Sequence, residues 1–281
     1  MTSIKQVILP TLRRSEVYQR IRASTVFDLY RRLLKRRQID DRNQETSFYR
    51  SLLQGFQPGD TIFDVGANVG TKTDIFLRLG AKVVAVEPDE CNQSVLRSRF
   101  LRYRVHPKPL IIVGLAVSEQ EGVETMWIDG DGSALNTLSQ KWVDALKVDK
   151  SRFQHTEDPL EFGQKKAVKT TTLDGLIATH GRPFYIKIDV EGNELRVLRG
   201  LQAAVPYLSF EVNLPEFRQE GLQCVQVLDS LSADGRLNYS TDCRNGLVLD
   251  KWLSPTEFLT VLKRCGERSL EVFWRTVRAG D

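Results

Sequence analysis

The chain has 281 residues, of which 41% are hydrophobic, and its net charge is +4. This length predicts one large α/β domain with additions, or two small domains, with enough apolar residues for a substantial core. No apolar run is long enough to span a bilayer, and no secretory signal is recognisable, so we expect a cytoplasmic protein. Four scattered cysteines and three distant histidines argue against a disulfide framework, a zinc site or an imidazole-based metal site.

The positive charge is concentrated near the N-terminus. Ten basic and four acidic residues lie between Arg13 and Arg42, a net charge of +6, which leaves −2 for the rest of the chain. The apolar spacing predicts an amphipathic helix over 15–37 and a second, short helix over 45–54. The first helix could pack on the domain with a solvated basic face. The alternatives are a lid, a homodimer contact, or a docking site for an anionic substrate or a membrane surface.

A predicted strand and a glycine loop form the most informative segment of the chain. Four of the five residues in Thr61–Val65 are β-branched or aromatic, which predicts a buried strand. A loop containing Gly66 and Gly70 follows, and then a helix is expected over 72–79. A glycine loop at a helix N-terminus suits a nucleoside ligand with a charged tail. Asp64, near the strand end, could hold the ammonium group of an amino-acid tail.

A second strand, expected over 82–86, ends in Glu87, which lies 21 residues beyond Gly66. A carboxylate at that position can accept hydrogen bonds from both ribose hydroxyls. The dinucleotide fingerprint of NAD would need glycines where the chain has Asn68 and Thr71. S-adenosylmethionine (SAM), which has no pyrophosphate, is therefore favoured over NAD as the cofactor.

Strand and helix signals alternate from residue 59 onward, which is typical of a mainly parallel sheet with crossover helices. The further strands are expected near 110–115, 184–189, 207–213, Leu237–Ser240 and Leu270–Val277. The further helices are expected over 90–102, 191–202, 222–232 and Ser254–Lys263. The final strand–helix–strand fits a seven-stranded sheet whose last strand is antiparallel.

Residues 119–172 interrupt this alternation. The segment contains a predicted edge strand at Val123–Ile128, a turn-rich loop over 129–133 and a polar stretch over 140–166. An insertion before the fourth main strand is expected above the carboxyl ends of the strands, where ligand sites form.

Acidic residues mark the end of the predicted strand 184–189. Asp189 ends this strand, Lys187 shares its strand face, and Glu191 follows at once. We expect Asp189 to face the ligand held by the glycine loop, because tips of adjacent parallel strands lie together. The hypothesis is that Asp189 acts as a base or orients the acceptor, with Glu191 and Glu211 as partners and Lys187 tuning their charge. The alternatives are a helix N-cap at Asp189, and a site for Mg²⁺ or Mn²⁺ on the three carboxylates.

Five short motifs occur in the order found in the FkbM-type SAM-dependent methyltransferases, a branch of the class I (Rossmann-like) methyltransferases. They are Asp64-Val65-Gly66-Ala67-Asn68-Val69-Gly70, Val86-Glu87-Pro88, Gly114-Leu115-Ala116-Val117-Ser118, Thr172-Leu173-Asp174 and Ile186-Lys187-Ile188-Asp189-Val190-Glu191-Gly192-Asn193-Glu194. The chain resembles that family over about residues 55–215.

The resemblance implies an α/β fold with a seven-stranded mixed sheet of order 3-2-1-4-5-7-6 and helices on both faces. On this basis residues 1–54 are a basic helical extension and residues 55–281 the methyltransferase domain. The resemblance also implies O-methylation of a small-molecule, sugar or natural-product hydroxyl. The residues implied to bind SAM are Asp64, Gly66, Ala67, Asn68, Gly70 and Thr71, then Glu87 and Pro88 at the ribose, and Leu115, Ala116 and Val117 around the adenine. Lys72 departs from the family, in which an aromatic residue often follows the glycine turn.

Three other functions are the rivals. An RNA- or other nucleic-acid-binding methyltransferase could use the Arg-rich N-terminal helix, but the rest of the chain lacks the interleaved aromatic and basic residues that base stacking requires. An NAD-dependent dehydrogenase is disfavoured by Asn68. A non-catalytic scaffold would have no reason to keep polar strand tips together.

Overall fold

The computed structural model describes residues 36–104, 109–148, 160 and 162–276. The strands of this part of the chain are β1 (Thr61–Val65), β2 (Lys82–Val86), β3 (Leu110–Val113), β4 (Ala116–Val117), β5 (Gly122–Ile128), β6 (Gln164–Thr171), β7 (Tyr185–Ile188), β8 (Tyr207–Asn213), β9 (Gly235–Ser240) and β10 (Ser269–Thr276). The α-helices are α1 (Arg36–Leu52), α2 (Thr71–Arg78), α3 (Glu90–Arg99), α4 (Leu101–Arg104), α5 (Gln140–Val148), α6 (Leu173–His180), α7 (Glu194–Arg199), α8 (Arg218–Leu231) and α9 (Pro255–Arg264).

The main sheet has the predicted strand order. Its seven strands run β3-β2-β1-β7-β8-β10-β9, which is 3-2-1-4-5-7-6 when the strands of this sheet are numbered alone. β10 is antiparallel to both of its neighbours, and the other pairs are parallel. The predicted fold class is therefore confirmed.

Helices cover both faces of this sheet. On one face, Tyr49 of α1 and Phe76 of α2 pack against Tyr185 and Phe273 of the sheet. On the other face, α6, α7, α8 and α9 pack on residues such as Ile188. Because side chains alternate along a strand, adjacent residues of each central strand contribute to opposite layers of the core.

The insertion before the fourth main strand forms a second, three-stranded sheet of order β4-β6-β5. The predicted edge strand is present at its edge as β5. In the described part of the stretch 140–166, α5 buries Trp142, Val143 and Leu146. β6, which begins at Gln164, pairs along the whole of β5.

Some predicted boundaries were wrong. The helix expected over 191–202 covers only Glu194–Arg199, because Glu191 (φ 55°) and Gly192 (φ 91°) adopt left-handed conformations that a helix cannot include. The helix expected over 45–54 begins earlier, at Arg36. The helix predicted over 15–37 lies outside the described residues up to position 35. Among the helices that are described, none has the length and apolar character needed to cross a bilayer.

Candidate active site

A cleft lies at the carboxyl ends of β1, β2 and β7. The cleft is lined by Val65, Gly66, Asn68, Val86, Glu87, Pro88, Asn92, Leu115, Ala116, Val117, Met126, Ser133, Asn136, Thr137, Leu138, Asp189, Val190 and Glu191.

The glycine loop turns sharply away from β1 and presses against the end of β7. The amides of Gly66 and Ala67 both donate to the carbonyl of Val86, at 3.0 Å. Gly66 has φ 83°, and a Cβ atom added there would lie 1.8 Å from the carbonyl oxygen of Asp189. Only glycine therefore fits at this position, where the loop and the tip of β7 meet.

The Glu87 carboxylate ties two backbone segments together at the tip of β2. It accepts the amide of Asn68 at 2.7 Å and the amide of Asp89 at 2.8 Å. Burial raises the pKa of Glu87 to about 7, although these two hydrogen bonds oppose the rise. Each carboxylate oxygen keeps a second lone pair for a ligand hydroxyl.

A loop of the insertion closes the cleft from above, where the insertion was expected, although its lining residues were not identified from the sequence. Asn136 donates to a carboxylate oxygen of Asp89 at 3.0 Å and accepts the amide of Asp129 at 2.9 Å. The Thr137 hydroxyl donates to the carbonyl of Glu191 at 2.7 Å. These side chains thus tie the insertion to the tips of β2 and β7, over a sequence separation that no local pattern reveals.

Three carboxyl groups converge at the tips of β7 and β8. Oxygen atoms of Asp189, Glu191 and Glu211 lie within 4.8 Å of one another. Lys187 contacts the Asp189 carboxylate from behind, with its Nζ atom 2.6 Å from Oδ2. The predicted catalytic residues are therefore adjacent in the fold, although only Asp189 and Glu191 line the cleft itself.

The protonation states within this cluster differ. Burial raises the pKa of Glu211 well above its usual range, and so do the charges of Asp189 and Glu191. Burial also raises the pKa of Glu191, again helped by Asp189. Burial alone would raise the pKa of Asp189, but Lys187 and a hydrogen bond from Glu211 outweigh it, so this pKa is lowered. These opposite pKa shifts favour the ionised form of Asp189 and the protonated form of Glu211, which donates a hydrogen bond to Asp189.

Two carboxyl groups of the cluster have side-chain partners in the protein. Lys187 contacts Asp189, and the Ser269 hydroxyl donates to Glu211 at 2.6 Å. Because Lys187 already supplies a positive charge at these carboxyl groups, we do not identify them as metal ligands.

Four of the predicted cofactor residues lie outside the cleft wall: Asp64, Ala67, Gly70 and Thr71. Asp64 is on the strand face opposite Phe63 and Val65, where it is 1% exposed and accepts a hydrogen bond from Thr73 at 2.5 Å. Gly70 faces Leu96 and Phe100. The lining residues that sequence reasoning did not identify are Asn92, Met126, Ser133, Asn136, Thr137 and Leu138.

The family model described as the methyltransferase FkbM domain matches residues 64–266. The chain belongs to the FkbM methyltransferase family. This is the family that the sequence motifs predicted. The match covers both the glycine loop and the acidic strand tips of the cleft.

Similar proteins agree with this assignment. The 31-O-demethyl-FK506 methyltransferase FkbM of Streptomyces tacrolimicus is 29% identical over 164 residues, which cover 53% of this chain and 62% of that protein. The chain therefore matches less than two thirds of the length of this curated relative. A shorter match, 41% identical over 49 residues, joins 17% of the chain to 19% of the ribosomal RNA small subunit methyltransferase A of Thermotoga petrophila.

The fold comparison shows a similar fold. The crystal structure of methyltransferase FkbM from Methylobacillus flagellatus KT superposes with a TM-score of 0.51 at 16% identity, covering 83% of this chain and 47% of that one. At this level of identity the likeness concerns the fold alone.

The residues of the cleft fit SAM. Glu87 presents a carboxylate of the kind that binds ribose hydroxyls, and the wall from Leu115 to Val117 supplies apolar surface for an adenine ring.

Proposed function

We propose that this FkbM-type enzyme transfers the methyl group of SAM to a hydroxyl oxygen of a small molecule or glycan. The single observation that carries the proposal is the position of the Asp189 carboxylate at the cleft, beside Glu191 and 2.6 Å from the Nζ atom of Lys187. Asp189 is half-buried, with its side chain 33% exposed, so an acceptor can reach it from outside. The name of the Streptomyces tacrolimicus relative, which describes methylation at an oxygen, supports the same chemistry.

SAM supplies an electrophilic methyl group that is transferred in line to the acceptor. An alcohol oxygen is a poor nucleophile until a base accepts its proton during the attack. In this proposal Asp189 receives the hydroxyl as a hydrogen-bond donor, orients its oxygen toward the cleft and accepts the proton. Lys187 and the protonated Glu211 hold the Asp189 carboxylate in place.

We also propose which residues hold the cofactor. Glu87 accepts hydrogen bonds from the ribose hydroxyls, Leu115, Ala116 and Val117 surround the adenine, and the loop at Gly66 and Asn68 lies along the amino-acid tail. Pro88 completes the wall beside the ribose. Asn136 and Thr137 of the insertion cover the bound cofactor, since both line the same cleft.

A soluble organic acceptor is favoured over RNA in this proposal. The match to the ribosomal RNA methyltransferase covers 17% of the chain, which is too short to carry an acceptor. The acidic cluster at the cleft would repel phosphate groups. We further propose that the enzyme is cytoplasmic, in keeping with its four free cysteines.

We propose that residues 1–54 form a helical extension of a methyltransferase domain that spans 55–281. The described part of this extension, α1, is packed on the sheet through Tyr49 and Leu52. A homodimer contact through residues 15–37 remains a further proposal, which size-exclusion chromatography with light scattering would test on the full chain and on a chain that begins at residue 36.

The proposal is tested by incubating the enzyme with isotopically labelled SAM and a metabolite extract from its host, and by analysing the products with mass spectrometry. The expected result is a labelled O-methyl product. An Asp189→Asn variant should bind SAM as tightly as the parent but turn over roughly 10²–10⁴-fold more slowly. Undiminished turnover would remove Asp189 from the mechanism, and a label found only on nitrogen, carbon or RNA would reject the proposed acceptor.

A further inference from the structure

A buried polar cluster lies on the sheet face behind the proposed catalytic carboxylates, and Glu271 of β10 is at its centre. One oxygen of Glu271 accepts the Ser209 hydroxyl at 2.6 Å, the Tyr49 hydroxyl at 3.3 Å and the Tyr185 hydroxyl at 3.5 Å. The other oxygen accepts the Cys243 thiol at 3.2 Å. Four donors on one carboxyl group stabilise its ionised form.

The sheet register places this anion directly behind Glu211. β10 pairs with β8 so that Glu271 lies opposite Glu211, and the two residues share one face of the sheet. On its other side, β8 pairs with β7, and Ser209 of β8 lies opposite Lys187 of β7. Ser209 therefore borders both Glu271 and Lys187. Glu271 therefore lies on the strand next to that of Glu211 and two strands away from β7, which Asp189 follows.

We propose that Glu271 is a positioning residue for methyl transfer, which with Lys187 keeps the shared proton of the Asp189–Glu211 pair on Glu211. The inference rests on the proposed function, because it matters for catalysis only if Asp189 receives the hydroxyl of the acceptor. Glu271 takes no part in the reaction itself and acts through Glu211.

The physical reason is the placement of two fixed charges on either side of the pair. Lys187 contacts Asp189 at 2.6 Å, which favours the negative charge on Asp189. A second anion on Glu211 would lie directly opposite the anion of Glu271, and like charges facing each other across strands are unfavourable. The proton therefore resides on Glu211, and Asp189 is left as the acceptor.

Other charged and titratable groups face the same residues. Glu211 is faced by Asp189 and Glu191, which follow the end of β7. Glu271 faces Lys72 of α2 and Lys187, and both lysines hold its pKa below the usual range against the effect of burial. Lys72 has its own partner in Glu45 of α1, at 2.5 Å, so Lys187 is the cation that links Glu271 to the cleft.

The test is a titration of the Glu211 carboxyl group in the full-length protein, which needs neither acceptor nor turnover. The protein is labelled with ¹³C at the glutamate side-chain carboxyl carbons, and the Glu211 signal is assigned by its loss in Glu211→Gln. Removal of the negative charge in Glu271→Gln should lower the titration midpoint of Glu211 by roughly one pH unit. Removal of the positive charge in Lys187→Gln should raise this midpoint.

Ser209→Ala is the matched control, because it removes a donor to Glu271 without changing any charge, and its midpoint should stay close to that of the parent. If the midpoint is unchanged in a folded Glu271→Gln variant, the inference is overturned. If Glu271→Gln does not fold, as judged by circular dichroism, Glu271→Asn, which removes the same charge, decides, and an unchanged midpoint there overturns the inference. Failure of the proposed function is a separate result, since it appears as undiminished turnover of Asp189→Asn.

Discussion

The ionisation of Glu87 should control the affinity for SAM near neutral pH. Burial raises the pKa of this carboxyl group to about 7, so the group is protonated below that pH and ionised above it. Only the ionised form can accept hydrogen bonds at both oxygens while it also holds the amides of Asn68 and Asp89. Affinity should therefore rise as the pH rises through about 7.

The size of the effect follows from the titration. If the protonated form binds very weakly, the apparent dissociation constant should fall about tenfold between about pH 6 and about pH 8, which corresponds to about 1.4 kcal/mol. A Glu87→Gln variant lacks this titration, so its affinity should be nearly constant over the same range. The variant should also bind more weakly than the parent, by about 1.5–3 kcal/mol, because it loses charge-assisted hydrogen bonds.

Isothermal titration calorimetry with S-adenosylhomocysteine measures both quantities. Glu194 is an internal control, because burial raises its pKa to about 7 as well and Glu87→Gln retains it. An affinity that does not depend on pH in the parent, or that depends on pH equally in Glu87→Gln, would refute the assignment of Glu87 to the ribose.

Three other predictions concern the architecture of the cleft. Gly66→Ala should lower the melting temperature and abolish cofactor binding, because the added Cβ would overlap a carbonyl oxygen. The control is Gly59→Ala, which is also at positive φ but has nothing within 4 Å of an added Cβ. It should lower the free energy of unfolding by only about 1–2 kcal/mol, as measured by thermal unfolding. Asn136→Ala should weaken S-adenosylhomocysteine binding in calorimetry by about 1–3 kcal/mol, because the covering loop loses the hydrogen bonds of Asn136. Asn245→Ala, at an exposed position, should leave the affinity unchanged. Equal affinities of the two variants would contradict the role of Asn136 in covering the cofactor. Methyl transfer should be unchanged by EDTA, since Lys187 supplies the positive charge at the carboxylates, and a metal-restorable loss of activity would disprove this account.

The parts of the fold that could be predicted from the sequence are those with strong local patterns. The β-branched runs of β1 and β2 and the Ser254–Glu257 capping box of α9 are examples, and the structure contains all three where they were expected. The capping box, for instance, satisfies backbone amides within four consecutive residues, so its signal does not depend on the rest of the fold.

The errors arose where a contact is distant in sequence or a conformation is unusual. The start of α7 was misplaced because the left-handed conformation of Glu191 depends on its surroundings, including the hydrogen bond from Thr137 to its carbonyl. β6 was missed because most of its residues are exposed and polar, and only pairing with β5 defines it as a strand.

The residues of the candidate site also divide into those that local sequence patterns predict and those that depend on contacts distant in sequence. The tips of β1, β2 and β7 were placed together because the order of a parallel sheet follows from alternating strands and helices. Asn136 and Thr137 could not be found, since they reach the cleft through an insertion without a recognisable motif. Asp64 was expected at the ligand, yet strand alternation directs it away from Phe63 and Val65 into the layer beneath α2.

The most direct test of the account is a crystal structure of the enzyme with S-adenosylhomocysteine. We predict that the ribose hydroxyls lie within hydrogen-bonding distance of Glu87, that the adenine lies against Leu115–Val117, and that the sulfur atom faces Asp189. A ligand bound at another surface, or one whose sulfur points away from the carboxylates of Asp189 and Glu191, would contradict the central claim.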